Sequence, residues 1–387
     1  MIEESRIKKN LTTFAFPRLS GTKFEFEAFN KLKEKIENLN LNFDIQNFTF
    51  STFYSRVYPR IAFLSISLIL LMLYLNISMM FSMIIIFTLL GLLIISIIIT
   101  RKPEKIRFIP KYNSQNLLVK IAPRSNNGKN NDRIVVFMSH LDSKGQRFKI
   151  GIRIRLIKIW IWSSIALFII ISLKSLLFVE FEIIFYIIGL FPLSFNIISS
   201  MMIFLNSTTN SSEGAVDNAS GIACNLELLN YYNILENRLH NYGMWFLFTG
   251  AEECGTMGVR HFYNNLRNFD VKKSIIFNFE SIAKNVFLFP GGNEGNHALH
   301  VNQLLLNNKR NLTIKNYFTK RILGTHSDGG FLGDRGIQGY GIGGVETHAY
   351  MHTPNDSIDK VDTTVLERLC LALTDSLKEH DSNFFNI

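Results

Sequence analysis

Residues 134–142 read Ile-Val-Val-Phe-Met-Ser-His-Leu-Asp, an apolar run that ends in a histidine and an aspartate. Five consecutive β-branched, aromatic or sulfur-containing residues are typical of a strand that is buried on both faces of a sheet. Two later runs have the same form, at 244–248 before Glu252 and Glu253 and at 274–279 before Glu280. The sequence therefore predicts several buried strands, each followed by histidine or carboxylate side chains.

Helical patterns alternate with these strands along the chain. Apolar residues recur at helical spacing over 25–39, 221–232 and 365–373, and further strand-like runs occupy 43–50 and 117–121. This alternation predicts an α/β fold with a mostly parallel, mixed sheet covered by helices. In such sheets the functional site lies beyond the carboxyl ends of the strands.

The composition indicates a chain that is only partly water-soluble. Of 387 residues, 47% are hydrophobic and 19% charged, the net charge is +10, and the mean hydropathy is +0.15. This apolar content excludes a disordered chain, and three scattered cysteines exclude a disulfide scaffold. The low share of charge points to a membrane-embedded fraction, while the basic excess fits either nucleic acid or an anionic membrane surface.

Two apolar blocks account for the hydropathy. Residues 61–100 contain no charged side chain, and this stretch is about twice the roughly 20 residues that one bilayer crossing needs. Asn76 and Ser78 offer a turn near the middle of this block. The second block, 157–205, carries Lys174, Glu180 and Glu182 near its midpoint. We expect two transmembrane helical hairpins, because the alternative, a pair of helices in a soluble core, would retain a polar face.

The two hairpins set the expected domain boundaries. Residues 1–60, 101–156 and 206–387 would form one soluble domain, interrupted by hairpins at 61–100 and 157–205. Surface loops tolerate such insertions. A hairpin returns the chain to the side that it left, so the soluble domain would stay whole on one face of the membrane.

The positive charge is concentrated beside the hairpins. The basic residues are Arg101, Lys102, Lys105 and Arg107 after the first hairpin, and Lys144, Arg147, Lys149, Arg153, Arg155 and Lys158 before the second. The positive-inside rule predicts an integral membrane protein whose soluble domain is cytoplasmic, with the opposite face as the alternative. Anionic headgroups of the lipid bilayer explain the charge, so no nucleic-acid partner is expected.

The polar strand ends form a candidate metal set. His140, Asp142, Glu252, Glu253 and Glu280 follow predicted strands. Loop segments 214–221, with Asp217 and Asn218, and 350–356, with His352 and Asp356, add to them. Each piece alone has an ordinary interpretation as a surface pair, a solvated edge or a turn, but their joint occurrence favours one site. Imidazole and carboxylate ligands suit zinc, with cobalt or manganese as substitutes.

This ordered motif set resembles the di-zinc aminopeptidases of metallopeptidase family 28. The motifs that carry the resemblance are His140-Leu-Asp, Gly214-Ala-Val-Asp-Asn-Ala-Ser-Gly, Glu252-Glu-Cys-Gly-Thr-Met-Gly, Glu280 and His352-Thr-Pro-Asn-Asp, with Phe16-Pro-Arg-Leu-Ser-Gly-Thr near the start. The family also contains glutamate carboxypeptidases, glutaminyl cyclases and the non-catalytic ectodomain of the transferrin receptor.

The resemblance implies a role for each residue of the set. Asp217 would bridge two zinc ions, one of which also binds His140 and Glu280 and the other Glu253 and His352. Glu252 would be the general base that takes a proton from water. Asp142 would accept the proton on the second nitrogen of the His140 imidazole and fix its tautomer.

Two departures from the family pattern concern geometry and substrate choice. Glu280 stands where the family usually has aspartate. In the segment 325–331, where the family commonly has Ser-Asp-His, Gly329 follows Ser327 and Asp328. By resemblance this segment lines the substrate pocket, so Ser327 and Asp328 are candidate pocket residues.

Three functions remain open from the sequence. The favoured one is a membrane-anchored, zinc-dependent aminopeptidase that acts on peptide substrates. A catalytically silent membrane scaffold or receptor on the same fold is the second, and the presence of Glu252 with all five ligands disfavours it. A glutaminyl-cyclase-like enzyme is the third, but it would need one metal and leave His140 without a clear role.

Overall fold

The computed structural model describes residues 1–76, 79–107, 110–125, 133–176, 182–266, 270, 272–290, 295–318 and 327–383. The chain forms two compact units, of which the first comprises residues 1–50, 112–145 and 209–387. The second unit comprises residues 51–111 and 146–208.

The first unit is built on an eight-stranded sheet with the order β1-β2-β6-β3-β7-β10-β8-β9. Its strands are β1 (Phe43–Ser51), β2 (Lys111–Ile121), β3 (Ile134–His140), β6 (Gly243–Thr249), β7 (Ile275–Phe279), β8 (Val286–Pro290), β9 (Ile314–Asn316) and β10 (Gln338–Gly343). Two short strands, β4 (Gly145–Gln146) and β5 (Thr208–Thr209), pair separately. The mixed, mostly parallel sheet predicted from the sequence is confirmed.

Parallel pairing at the centre of the sheet brings several strand ends to one edge. β3 runs parallel to β6, with His140 opposite Thr249, and parallel to β7, with Met138 opposite Asn278. β10 is parallel to β7, whereas β2 is antiparallel to β6. The carboxyl ends of β3, β6 and β7 therefore meet on the side where the polar residues were predicted.

Helices cover both faces of the sheet. They are α1 (Glu4–Phe14), α2 (Lys23–Glu37), α7 (Ser220–Asn233), α8 (Met257–Asn264), α9 (Asn296–Leu306), α10 (Asp328–Gly333) and α11 (Thr363–Ser382). Because successive strand side chains point to opposite faces, β3 contributes Phe137 to a core with α1, α2, α7, α9 and α11, and Val136 to a second core with α8 and α10. Every residue of β3 is buried, as expected for a strand covered on both faces.

The second unit contains four apolar helices, α3 (Tyr58–Leu75), α4 (Met79–Thr100), α5 (Ile150–Leu176) and α6 (Glu182–Leu205). Four helical segments, each overlapping one of these helices, are long and apolar enough to cross a membrane: Phe53–Leu75, Met83–Thr100, Ile150–Lys174 and Glu182–Leu205. Two segments begin earlier than the predicted blocks, because helical backbone continues through the flanking basic residues. Ser78 and Glu180, expected near the hairpin tips, lie outside the described residues.

Polar contacts join the helices of the second unit. Asn196 of α6 donates through Nδ2 to Ser164 Oγ of α5 at 2.7 Å and lies 3.2 Å from Ser163 Oγ. Lys174 donates through Nζ to the carbonyl of Tyr74 at 3.0 Å, at the end of α3. Such contacts between apolar helices satisfy polar groups where water is excluded.

Candidate metal centre

Six predicted site residues meet at the carboxyl edge of the sheet. They are His140 at the end of β3, Glu252 and Glu253 in the turn after β6, Glu280 directly after β7, Asp217 in the loop before α7, and His352 in the loop after β10. Their ligand atoms form two groups, His140–Glu252–Glu280 and Asp217–Glu253–His352, within each of which the atoms lie within 4.8 Å of one another. The structure thus brings together all five predicted ligands and the predicted base.

Asp217 lies between the two histidines of the site. Its Oδ1 is 3.1 Å from His140 Nε2, and its Oδ2 is 3.1 Å from His352 Nε2. His352 Nε2 is also 2.9 Å from Glu253 Oε1. One carboxylate therefore faces both groups, which is the arrangement that a bridging ligand requires.

The Asp217 loop is held by two neighbouring side chains. Asp356, fully buried, accepts hydrogen bonds from the backbone amides of Val216 at 2.7 Å and Asp217 at 3.4 Å. Asn218, joined to Asp217 by a cis peptide bond, donates through Nδ2 to the carbonyl of Phe279 at 2.8 Å. The loop is thereby fixed against the end of β7, beside Glu280.

The Asp142 carboxylate binds the backbone of the turn after β6, and Asp142 also lies beside His140. Its Oδ1 accepts from the amide of Glu252 and its Oδ2 from the amide of Glu253, both at 3.0 Å. Its backbone carbonyl lies 3.0 Å from His140 Nδ1, whereas its Oδ1 is 3.5 Å from that nitrogen. The closer partner of the imidazole is therefore the carbonyl, and the carboxylate mainly orders the turn that carries Glu252 and Glu253.

Burial and neighbouring charges raise the pKa of some carboxyl groups of the site and lower the pKa of others. Burial, together with Asp217 and Asp328, raises the pKa of Glu280 to about 8, and burial with the adjacent Glu280 raises the pKa of Glu252 well above its usual value. Burial also acts on Glu253, but His352 and Lys144 outweigh it and lower its pKa to about 2.

A divalent cation fits this donor set. Burial opposes ionisation of Asp217 as well, but His140 and His352 hold the pKa of its carboxyl well below the usual range. Several buried carboxylates and two imidazoles crowd one edge, and a cation between them would offset the burial and the repulsion that raise the pKa of Glu252 and Glu280. Mixed nitrogen and oxygen ligands match the preference of zinc.

Lys144 contacts the site in a way that the sequence did not indicate. Its Nζ is 2.5 Å from Glu253 Oε2, on the side of the carboxylate away from His352. The sequence presented Lys144 only as one of the basic residues near the second apolar block. Its distance from Glu253 depends on the fold, so no local pattern could have revealed it.

The two candidate pocket residues make internal contacts. Ser327 accepts from the amide of Gly330 at the start of α10, and the buried Asp328 accepts from Thr249 Oγ1 at 2.5 Å. A Cβ atom at Gly329 would lie 2.8 Å from Asn278 Cβ, which explains why a larger residue is absent there. Thr325 and His326 of the same motif lie outside the described residues, and the pocket assignment remains a prediction.

Comparison with known structures identifies the class of fold. An aminopeptidase from Aneurinibacillus sp. strain AM-1 superposes with a TM-score of 0.58 at 13% identity, covering 98% of this chain and 94% of that chain. BSAP, a zinc aminopeptidase from Bacillus subtilis, gives 0.57 at 12% identity, covering 98% and 95%. A glutaminyl cyclase from Fimbriiglobus ruber gives 0.55 at 11% identity, covering 97% and 95%. The first unit thus has the fold of these enzymes.

A family model matches part of the sequence. Residues 200–375 match the model of peptidase family M28, which confirms the resemblance predicted from the motifs and supports a metallopeptidase hydrolase. This stretch contains the candidate base and every candidate ligand except His140. No curated protein matches the sequence.

Proposed function

We propose that the protein is a membrane-anchored zinc aminopeptidase that removes amino-terminal residues from peptides. The observation that carries this proposal is the convergence of Asp217 with two histidines and three glutamates at one sheet edge. Family membership of the matched stretch supports peptidase chemistry, and the fold relatives include zinc aminopeptidases.

The residues present would hold two zinc ions. His140 and Glu280 would bind one, Glu253 and His352 the other, and Asp217 would contribute one carboxylate oxygen to each. When bound, zinc would polarise the scissile carbonyl and lower the pKa of water toward neutrality. Cobalt or manganese would serve as substitutes, since both accept the same nitrogen and oxygen ligands.

Glu252 would perform the proton transfers. Its carboxylate would take a proton from the attacking water and deliver it to the leaving amine, so no covalent intermediate is needed. The hydrogen bond from its amide to Asp142 at 3.0 Å holds its backbone in place. The Asp142 carboxylate would therefore hold the backbone of Glu252 in position, while the backbone carbonyl of Asp142 orients the ring of His140.

Glutaminyl cyclisation is the second candidate, favoured by the Fimbriiglobus ruber relative. The two reactions yield different products from one substrate. An aminopeptidase releases glutamine from an amino-terminal glutaminyl peptide, whereas a cyclase releases ammonia and leaves a cyclic amino terminus. We expect release of the amino acid, because the structure provides a ligand group around His140 and Glu280 in addition to the group of Asp217, Glu253 and His352. A silent scaffold would release neither product.

Activity assays on the purified full-length protein test the proposal. Aminoacyl-anilides should be hydrolysed, their amino-terminally acetylated forms should not, and a chelator should abolish turnover until zinc is restored. Equal turnover of free and acetylated substrates would reject exopeptidase specificity. Turnover that survives complete zinc removal would reject the metal mechanism.

The four apolar helices would anchor the enzyme as two hairpins inserted in surface loops of one peptidase domain. In our proposal this domain lies on the cytoplasmic face, as the positive-inside rule predicts from the basic residues that flank the helices. A cysteine introduced at the half-exposed Lys33 tests it, because the native Cys224, Cys254 and Cys370 are buried. Labelling of Lys33→Cys by an impermeant maleimide in intact cells would refute the cytoplasmic location.

A further inference from the structure

Glu25, in the first turn of α2, is a buried carboxylate with three hydrogen-bond donors. It is 4% exposed. Its Oε2 accepts from the amide of Gly21 at 2.6 Å, and its Oε1 accepts from Ser114 Oγ and from the amide of Ala251, both at 2.8 Å. Burying a carboxylate is costly unless its partners repay the loss of water, so these contacts need an explanation.

Helix capping accounts for the hydrogen bond of only one of the two carboxylate oxygens of Glu25. Thr22 is the N-cap of α2, and a glutamate three residues later commonly reaches back to an amide at the start of its own helix. Oε2 does this through Gly21. Oε1 instead joins strand β2, through Ser114, to the turn after β6, through Ala251. Capping requires neither of these contacts.

The turn that receives Oε1 carries the candidate base. Three successive amides, those of Ala251, Glu252 and Glu253, donate to Glu25 Oε1, Asp142 Oδ1 and Asp142 Oδ2. Ala251 has a φ of 51°, in the left-handed region that alanine rarely adopts. Two carboxylates from distant parts of the chain thus hold a backbone conformation that alanine would otherwise leave.

Close packing leaves the turn little room on this side. A Cβ atom at Gly250 would lie 2.1 Å from Ser114 Oγ and 3.0 Å from Glu25 Oε1. The end of β6 therefore approaches Glu25 directly, and a shift of Ala251 would be transmitted to the next residue, Glu252.

We infer that Glu25 is a positioning residue, which through the amide of Ala251 sets the place of the Glu252 carboxylate. The inference rests on the proposed function. Glu253 is held independently by His352 and Lys144, so loss of Glu25 should displace the base and spare the metal ligands. A misplacement of about 1 Å can reduce turnover roughly 100-fold.

A cavity beside Glu25 makes the inference testable by chemical rescue. Its volume is about 340 Å³, and it is lined by Glu25 together with Thr22, Phe26, Phe48, Ser114 and Leu141. Glu25→Ala would therefore leave an accessible space next to the three donors. Formate carries the same carboxylate and can enter that space.

The experiment compares full-length wild type, Glu25→Ala and Glu25→Gln, with and without formate. For Glu25→Ala we expect kcat to fall about 100-fold with KM and zinc content near wild type, and formate to restore kcat saturably. Glu25→Gln, which keeps an acceptor oxygen, should lose less. Hydrogen exchange at the amides of residues 251–253 should accelerate in Glu25→Ala and slow again with formate.

Two control variants on α2 separate positioning from stability. Glu34→Ala is the same substitution at an exposed site and should match wild type. Leu32→Ala removes a buried side chain and should lower the melting temperature without a formate-dependent change in kcat or exchange. Unchanged exchange at 251–253 in Glu25→Ala would overturn the inference, as would faster exchange with undiminished kcat.

Failure of the proposed function gives a different result. Wild-type protein that hydrolyses no aminoacyl substrate would reject the proposed aminopeptidase activity. The exchange measurement would then still decide whether Glu25 holds the turn at Ala251, because it does not depend on turnover.

Discussion

Replacing Asp356 with alanine should weaken zinc binding, because this side chain holds the backbone of the Asp217 loop. Asp356 is fully buried and accepts one short hydrogen bond, from Val216 at 2.7 Å, and one long bond, from Asp217 at 3.4 Å. A hydrogen bond to a charged acceptor contributes about 1.5–3 kcal/mol, and the longer bond adds less. The amide of Asp217 would be left buried and unsatisfied.

The free energy of these bonds sets the expected loss of affinity. Every 1.4 kcal/mol changes a dissociation constant about tenfold, so the zinc Kd of Asp356→Ala should rise about 10–100-fold. That range is also typical when a residue that orients a metal ligand is lost. Asp356→Asn keeps an uncharged acceptor for Val216 and should weaken binding only about fivefold.

Competition with a chromophoric chelator measures this affinity in purified protein. Asp359→Ala is the matched control, because Asp359 lies in the same segment, is exposed, and contacts Ser357 and Lys360 rather than the loop. The control should bind zinc like wild type. Wild-type affinity in Asp356→Ala would refute the argument that this carboxylate supports the bridging ligand.

Three other perturbations have defined outcomes. Lys144→Met removes an ammonium 2.5 Å from Glu253 and should tighten zinc binding at that group by about tenfold; weaker binding in chelator competition would contradict this reasoning. Gly329→Ala should lower the melting temperature, because its Cβ would lie 2.8 Å from Asn278 Cβ and overpacking costs about 1–3 kcal/mol; an unchanged melting curve would show that the contact relaxes freely. Burial and neighbouring histidines lower the pKa of His380 to about 4, so its stabilising contribution is present above pH 6.5 and is lost as the pH falls toward 4. Thermal melts at pH 7 and pH 5 should therefore differ less in His380→Gln than in wild type, and an equal difference would exclude this histidine as a cause.

The strand ends made most of the site predictable from sequence. His140 and Glu280 follow buried apolar runs, and parallel pairing of such runs brings their carboxyl ends together. Asp217 and His352 lie in loops, and only their motifs and the family resemblance connected them with the strands. The Asp217 loop is also held by Asp356 and Asn218, whose contacts exist only in the folded chain.

Two other features, strand β10 and the burial of Glu25, could not be predicted from the local sequence pattern. β10 reads Gln-Gly-Tyr-Gly-Ile-Gly, in which three of the six residues are glycine and only Ile342 is β-branched, unlike a typical strand. It forms because β7 and β8 pair on its two sides, and a Cβ atom at Gly339 or Gly343 would collide with a neighbouring backbone carbonyl. Glu25 belongs to an amphipathic pattern in which charged residues usually face water. Its burial depends on Ser114 and Ala251, which are remote in the sequence.

Turnover of Glu252→Gln, measured on protein whose zinc content is counted in the same sample, tests the proposed base and the proposed metal centre together. Glutamine cannot accept the proton from water, but Glu252 is not among the five proposed ligands. We predict about two zinc ions per chain, as the proposed ligand set requires, and a kcat lower than that of wild type by about 100-fold to 10,000-fold. Wild-type turnover with zinc retained would contradict the role of Glu252, and absence of zinc from both proteins would contradict the metal centre.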